Sequence, residues 1–257
     1  MSNIFNINRF GRLFIKHTSE HYKSYLMSVL VLLGVMLLGG SFIVYMLNAP
    51  MTIGMQTALF TGVLLLAGTI FTSTVFADLG ESKKAIVWLT LPASHFEKYL
   101  VVWLYSFLFL IVIYTCCFYI VLFFLTSIKH FPNEHTEILD LFDRGGGLQV
   151  FLLYAFLHSI AFYGAICFEK LHFIKTAFIF FIGIALLIII NHLIQYGIFG
   201  REIMMNVPFG GARFMENNQE REINITIGQQ WHMLTLIGVL ACVFWVAAYF
   251  RLKEKQV

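Results

Sequence analysis

Six long apolar runs, separated by shorter polar or charged stretches, organise this 257-residue chain. They cover approximately Leu26–Leu47, Met55–Phe76, Tyr99–Ser127, Leu148–Phe168, Thr176–Phe199 and Trp231–Phe250. A helix rises about 1.5 Å per residue, so about 20 apolar residues cross the hydrocarbon core of a bilayer. Every run meets that length, and the third exceeds it, so it is expected to tilt or project beyond the lipid. Ahead of the first run, Phe10, Leu13, Phe14 and His17 recur at helical spacing, with Arg9, Arg12 and Lys16 on or beside the other face. A basic, aromatic helix over residues 4–25 is expected to lie in the membrane interface, the alternative being a cytosolic helix packed on a partner. The pattern predicts an all-α polytopic membrane protein with a single transmembrane domain, built from an N-terminal amphipathic interfacial helix plus six transmembrane helices.

Composition agrees with the pattern. The chain is 59% hydrophobic and 12% charged, with a mean hydropathy of +0.80. Soluble domains carry about 45–50% apolar and about 25% charged residues, so this excess cannot be buried in a core of this size. Cys116, Cys117, Cys167 and Cys242 all lie inside apolar runs, where thiols behave as small hydrophobes. No cleavable signal peptide is expected, because the first run is as long as a full span and lacks a clear small-residue cleavage site.

Lys and Arg set the orientation. With six spans both termini share a side, and that side collects Arg9, Arg12, Lys16, Lys23, Lys83, Lys84, Lys98, Lys170, Lys175, Arg251, Lys253 and Lys255. The other side holds Lys129, Arg144, Arg201, Arg213 and Arg221, together with eight acidic residues in the fourth and sixth polar stretches. Both termini are therefore expected in the cytoplasm, with residues 200–230 as an extracytoplasmic loop. There Ile223, Ile225 and Ile227 alternate with Glu222, Asn224 and Thr226, which predicts a short strand or hairpin, with a re-entrant helix as the competing picture.

Glu81–Leu100, ESKKAIVWLTLPASHFEKYL, is the most densely charged interruption in the first half. It reads as a short amphipathic helix, a corner at Pro92 that a helix cannot continue through, and a capped entry into the third span. The Ser94-x-x-Glu97 spacing predicts a capping box, in which each side chain bonds the other residue's backbone N–H.

Several chemistries find no support. There is no G-x-x-x-x-G-K-[ST] phosphate loop and no HExxH. No Asp or Glu lies deep in a span, whereas ion-coupled carriers bind their ion through such a group. His158 and His192 are histidines deep inside the runs; a proton or metal site is weighed against neutral imidazoles bonded between helices, and the latter is expected. Asn191 and Gln195 flank His192 as a polar cluster near the outer end of the fifth run, as interhelical contacts or as part of a pathway. Thr57, Thr61, Thr69 and Ser73 form a hydroxyl stripe on the second run, again for packing or for a polar path. His17 and His21 have i, i+4 metal-ligand spacing but no third ligand, so no metal is expected. The pairs Ala161/Ala165 and Gly238/Cys242 predict close helix contacts, and Asn224-Ile-Thr226 is read as a chance glycosylation pattern.

The stretches FNINRFGRLFIKH and SKKAIVWLTLPASHFEKYL, set in a six-span chain with a charged inner loop after the second span, resemble the permeases of ABC-2 type transporters. The resemblance covers the whole chain as topology and about twenty residues as local motif. It implies that residues 81–98 form a cytoplasmic coupling segment that docks on a separate ATPase subunit, with Lys83, Lys84, Trp88, Leu89, Leu91 and Pro92 as docking residues. It implies that Ser94 and Glu97, capping the third span, pass movement of that segment to it. It further implies a second permease copy, as homodimer or heterodimer, a location in the bacterial cytoplasmic (inner) membrane, and ATP and Mg bound by the partner, with no cofactor on this chain.

The leading expectation is thus the permease of an ATP-driven exporter, contacting lipid and its partner subunits but no nucleic acid, and not itself an enzyme. A non-transporting membrane anchor or assembly protein, whose lysines at positions 83 and 84 rest on lipid phosphates, is the second reading. A polytopic membrane enzyme, which would have to use His158 and His192, is the third.

Overall fold

The computed structural model describes residues 5–47, 50–75, 93–128, 137–141, 146–168, 171–199, 212–216, 219–223 and 227–254. These form six helices and one hairpin. Helix α1 spans Ile7–Met46, α2 Ile53–Val75, α3 His95–Ile128, α4 Gly146–Cys167, α5 His172–Phe199 and α6 Ile227–Glu254. All six are long and apolar enough to cross a membrane, and each covers one of the six runs. The chain is a multi-pass membrane protein. Between α5 and α6, β1 (Ala212–Glu216) pairs antiparallel with β2 (Gln219–Ile223), Phe214 opposite Arg221. Ile223 is the last residue of β2 and Ile227 the first of α6, so these two of the alternating isoleucines belong to different elements.

Residues 7–25 are not set apart from the first span. They are the first half of a single 40-residue helix, which at about 1.5 Å per residue is about 60 Å long. The reason lies in the aromatic face. Phe14 stacks on Tyr105 of α3 at 5.1 Å, and Tyr25 stacks on the same ring at 5.3 Å. No proline interrupts α1, and these rings hold its first half alongside α3, leaving Arg12 exposed on the far side. Asn6 caps α1 through its side-chain oxygen, which accepts from the N–H groups of Asn8 and Arg9.

Helix α4 is the most enclosed and packs against α2 and α6. Its Tyr154 and Phe162 are fully buried. Gly68 of α2 meets the Tyr154 ring so closely that a Cβ there would collide with it, and Gly164 stands in the same relation to Thr176 of α5. Ala161 and Ala165 are buried on α4, whereas Cys242 is exposed and Gly238 has ordinary room. Helix α5 is the outlier, with no buried residue in its most apolar window.

Gln56, inside the second run, carries a role that its position hides. It is wholly buried, and its amide donates to the carbonyls of Met51 (3.0 Å) and Glu137 (2.8 Å) while accepting from the Leu139 N–H (2.8 Å). One side chain therefore ties the stretch 137–141 to α2. Gln56→Leu would strand all three backbone groups, each worth about 1–3 kcal/mol when buried without a partner. Hydrogen exchange at the Leu139 amide is expected to accelerate first; unchanged exchange there would contradict the assignment.

Candidate functional site

The site is built on the first turn of α3, at Ser94–Glu97. Ser94 is the N-cap of α3, and its hydroxyl accepts from the Glu97 N–H at 3.2 Å. Glu97 returns the bond, its Oε2 accepting from the Ser94 N–H at 2.9 Å. This reciprocal pair satisfies two of the N–H groups that a helix start leaves open.

The same carboxylate reaches across to α1. Arg9 donates through Nε to Oε2 and through Nη2 to Oε1, both at 2.7 Å, a two-pronged contact of the kind that matches guanidinium to carboxylate geometry. Oε1 also accepts from the Asn6 N–H at 2.9 Å. Asn6 and Ser94 are the N-caps of α1 and α3, so one carboxylate holds the cap N–H of both helices. Glu97 has no solvent exposure, and the four donors fill its acceptor sites on both oxygens. Phe96 extends the joint on one side, edge-on to Phe5 at 6.1 Å and to Tyr249 of α6 at 6.0 Å. The arrangement has no reacting geometry. It is a joint that links the head of α3 to the start of α1 and, through the rings, to the end of α6.

A second buried cluster sits deeper. α3 contains one wide π-helical turn, Leu104–Phe109, a distortion that is often found at functional positions. Ser106 in that turn donates to the Val102 carbonyl at 2.9 Å and lies 3.0 Å from His158 Nε2. Trp245 of α6 donates its indole N–H to His158 Nδ1 at 3.1 Å. An indole nitrogen only donates, so Nδ1 accepts and the ring proton sits on Nε2, directed at the Ser106 oxygen. Tyr154 completes the cluster by donating to the Ser106 carbonyl at 3.0 Å. His158 is therefore a neutral imidazole with both nitrogens engaged, joining α3, α4 and α6.

The remaining sequence candidates separate clearly. Lys83, Lys84, Trp88, Leu89, Leu91 and Pro92 lie outside the described residues. Thr57, Thr69 and Ser73 each donate to a carbonyl four residues back in their own helix, and Thr61 is half-buried beside them. Asn191, His192 and Gln195 are half-buried on α5, and His192 Nδ1 and Gln195 Oε1 are shielded from solvent without a hydrogen-bond partner. His17 and His21 stack at 4.4 Å, with His17 Nε2 on the Tyr25 hydroxyl at 2.6 Å and His21 Nδ1 on the His17 carbonyl at 3.1 Å.

Sequence reasoning missed Arg9, Asn6, Ser106, Trp245 and Gln56. One signal pointed at the first: a capping box leaves a carboxylate at a span boundary, and a charge there needs a cation. Compared with family models, curated proteins and solved structures, the chain matches none.

Proposed function

We propose that this chain is the permease subunit of an ATP-driven transporter of the ABC-2 type, working as an exporter in a bacterial cytoplasmic membrane. In this reading both termini are cytoplasmic, and a second permease copy completes the membrane part. A separate ATPase subunit binds ATP and Mg and docks on the coupling segment 81–98, while this chain carries no catalytic group. The observation that carries the reading is the Glu97 joint. It begins at Ser94, two residues after Pro92, and ties the exit of that segment to α1 and α3 together, through Arg9, Asn6 and Ser94. A push on the segment would therefore move two spanning helices as one lever, which is what a partner subunit needs in order to drive a pathway between permeases. The six spanning helices and the concentration of Lys and Arg on one side support the same orientation.

The test is co-purification from membranes followed by transport in reconstituted vesicles. Trp88→Asp and Leu91→Asp place a charge where an apolar anchor would seat, and each is expected to lose the ATPase subunit while the permease still folds and inserts. Unchanged transport by both variants would remove the docking assignment. A bound ATPase whose hydrolysis no substrate stimulates would instead make this chain an anchor.

A further inference from the structure

A cavity of about 380 Å³ opens between α1, α2 and α3, and nothing described above uses it. Ligand sites commonly fall in this size range and combine an apolar lining with a few placed polar groups. Its lining runs along α1 from Phe14 to Leu32, which at about 1.5 Å per residue is about 27 Å of helix. Ala67 and Phe71 close it from α2, and Tyr105 to Tyr114 close it from α3. Ser28 and Ile113 at its edge are exposed, so the cavity is open sideways, and on a spanning bundle sideways is toward lipid.

The polarity along it is graded. At one end Thr18 donates to the Phe14 carbonyl at 2.8 Å. Its proton is thereby committed, so the neighbouring Tyr105 hydroxyl donates to the Thr18 oxygen and keeps lone pairs of its own. Toward the other end the lining is Val29, Leu32, Leu110 and Ile113, and the two hydroxyls there are already committed, Ser28 donating to the Ser24 carbonyl (3.0 Å) and Tyr114 to the Phe60 carbonyl (2.7 Å). No lining side chain is charged, and the basic residues of the same stretch of α1, Arg12, Lys16 and Lys23, fall on the opposite face of that helix.

We propose that this cavity binds one chain of a membrane amphiphile whose head is uncharged and carries a hydroxyl. The hydrocarbon lies toward Leu32 and Ile113, and the head donates to the free lone pairs at Tyr105 and Thr18. The lack of lining charge sets it against anionic lipids, whose heads would lose their counter-charge there. The site belongs to this chain's own bundle and does not depend on an ATPase partner.

The experiment uses the full chain in lipid nanodiscs with a monoacylglycerol that carries a photoreactive diazirine in mid-chain, and adducts are mapped by mass spectrometry. Adducts are expected to saturate and to concentrate on α1 and α3 around the cavity, with unsaturable labelling of the outward face of α5 reporting bulk lipid. Unlabelled monoacylglycerol is expected to compete about tenfold better than phosphatidylglycerol of the same chain length. Ala67→Phe fills the cavity from α2 and is expected to lower cavity adducts about tenfold; Ser28→Trp, at the exposed mouth, does so without touching the core. Thr18→Val removes one acceptor at constant shape and is expected to weaken competition about three- to tenfold. Labelling that never saturates, labelling unchanged in both filled variants, or equal competition by the anionic lipid overturns the proposal. So does a Ser28→Cys variant that disulfide-links two copies and excludes the probe, because a second copy would then occupy the space.

Discussion

Glu97→Ala is expected to be the most damaging single change in the described part of the molecule. It leaves the cap N–H groups of Asn6 and Ser94 without an acceptor, each a loss of about 1–3 kcal/mol where water cannot replace the carboxylate. It also leaves Arg9 facing two helix starts, whose partial positive charge repels a guanidinium. Arg9→Met alone is expected to be milder, because Glu97 keeps both backbone donors. Glu97→Gln should fall between, since an amide oxygen still accepts one of them. Thermal unfolding of the single and double variants in micelles checks this as a cycle: Arg9→Met and Glu97→Ala together should cost clearly less than the sum of the two. Additive losses would mean that the two side chains do not share one joint. If the proposed function holds, Glu97→Ala should also uncouple transport from ATP hydrolysis while the ATPase stays bound, because docking residues are untouched and only the lever is loosened.

Replacing His158 is the second large effect. His158→Ala removes the acceptor of the Trp245 N–H and the donor to Ser106, and opens a cavity in the most enclosed helix. Hydrogen bonds between membrane helices average about 0.6 kcal/mol with a maximum near 1.7, and large-to-small changes in a packed core add about 2–5 kcal/mol. The expected loss is therefore about 3–6 kcal/mol, dominated by packing. His158→Phe separates the two contributions. It fills the space between Phe107 and Phe162, so most of the stability should return, while the Trp245 indole remains unbonded and its fluorescence shifts. Equal losses for Ala and Phe would put the weight on the hydrogen bonds instead. A stable His158→Phe protein that is inactive would revive a chemical role for this histidine, and one that works as before would leave it structural.

These two residues also show where the sequence stops being sufficient. The Ser94–Glu97 box was legible because capping is local: three residues of spacing decide it, whatever lies around it. The cation that the box requires was not, since Arg9 lies 88 residues away and periodicity puts it on or beside the basic face of the N-terminal helix. Nothing in the pattern of α1 says that its aromatic face will meet α3, yet that contact is what turns an expected interfacial helix into the first half of a long one. Gln56 reads as one polar residue at the edge of an apolar run; its three bonds exist only because the stretch 137–141 folds back over it. The π-helical turn has no signature in LYSFLF, and its partner carbonyl and hydroxyl contacts come from α4.

By itself, the sequence determined that the chain crosses a membrane, in six segments, with a capped third helix and a charged stretch before it. Those properties follow from apolar run length, charge placement and spacing within one helical turn, and they hold before any helix has met another. The tertiary structure alone decided which N–H donors converge on the Glu97 carboxylate, which tautomer His158 adopts, and that α1, α2 and α3 leave a lateral cavity between them. Each of these depends on which helices are neighbours and at what rotation. In a bilayer that choice is set by fine packing and a few buried polar contacts, because apolar residues satisfy lipid and neighbouring helices almost equally well.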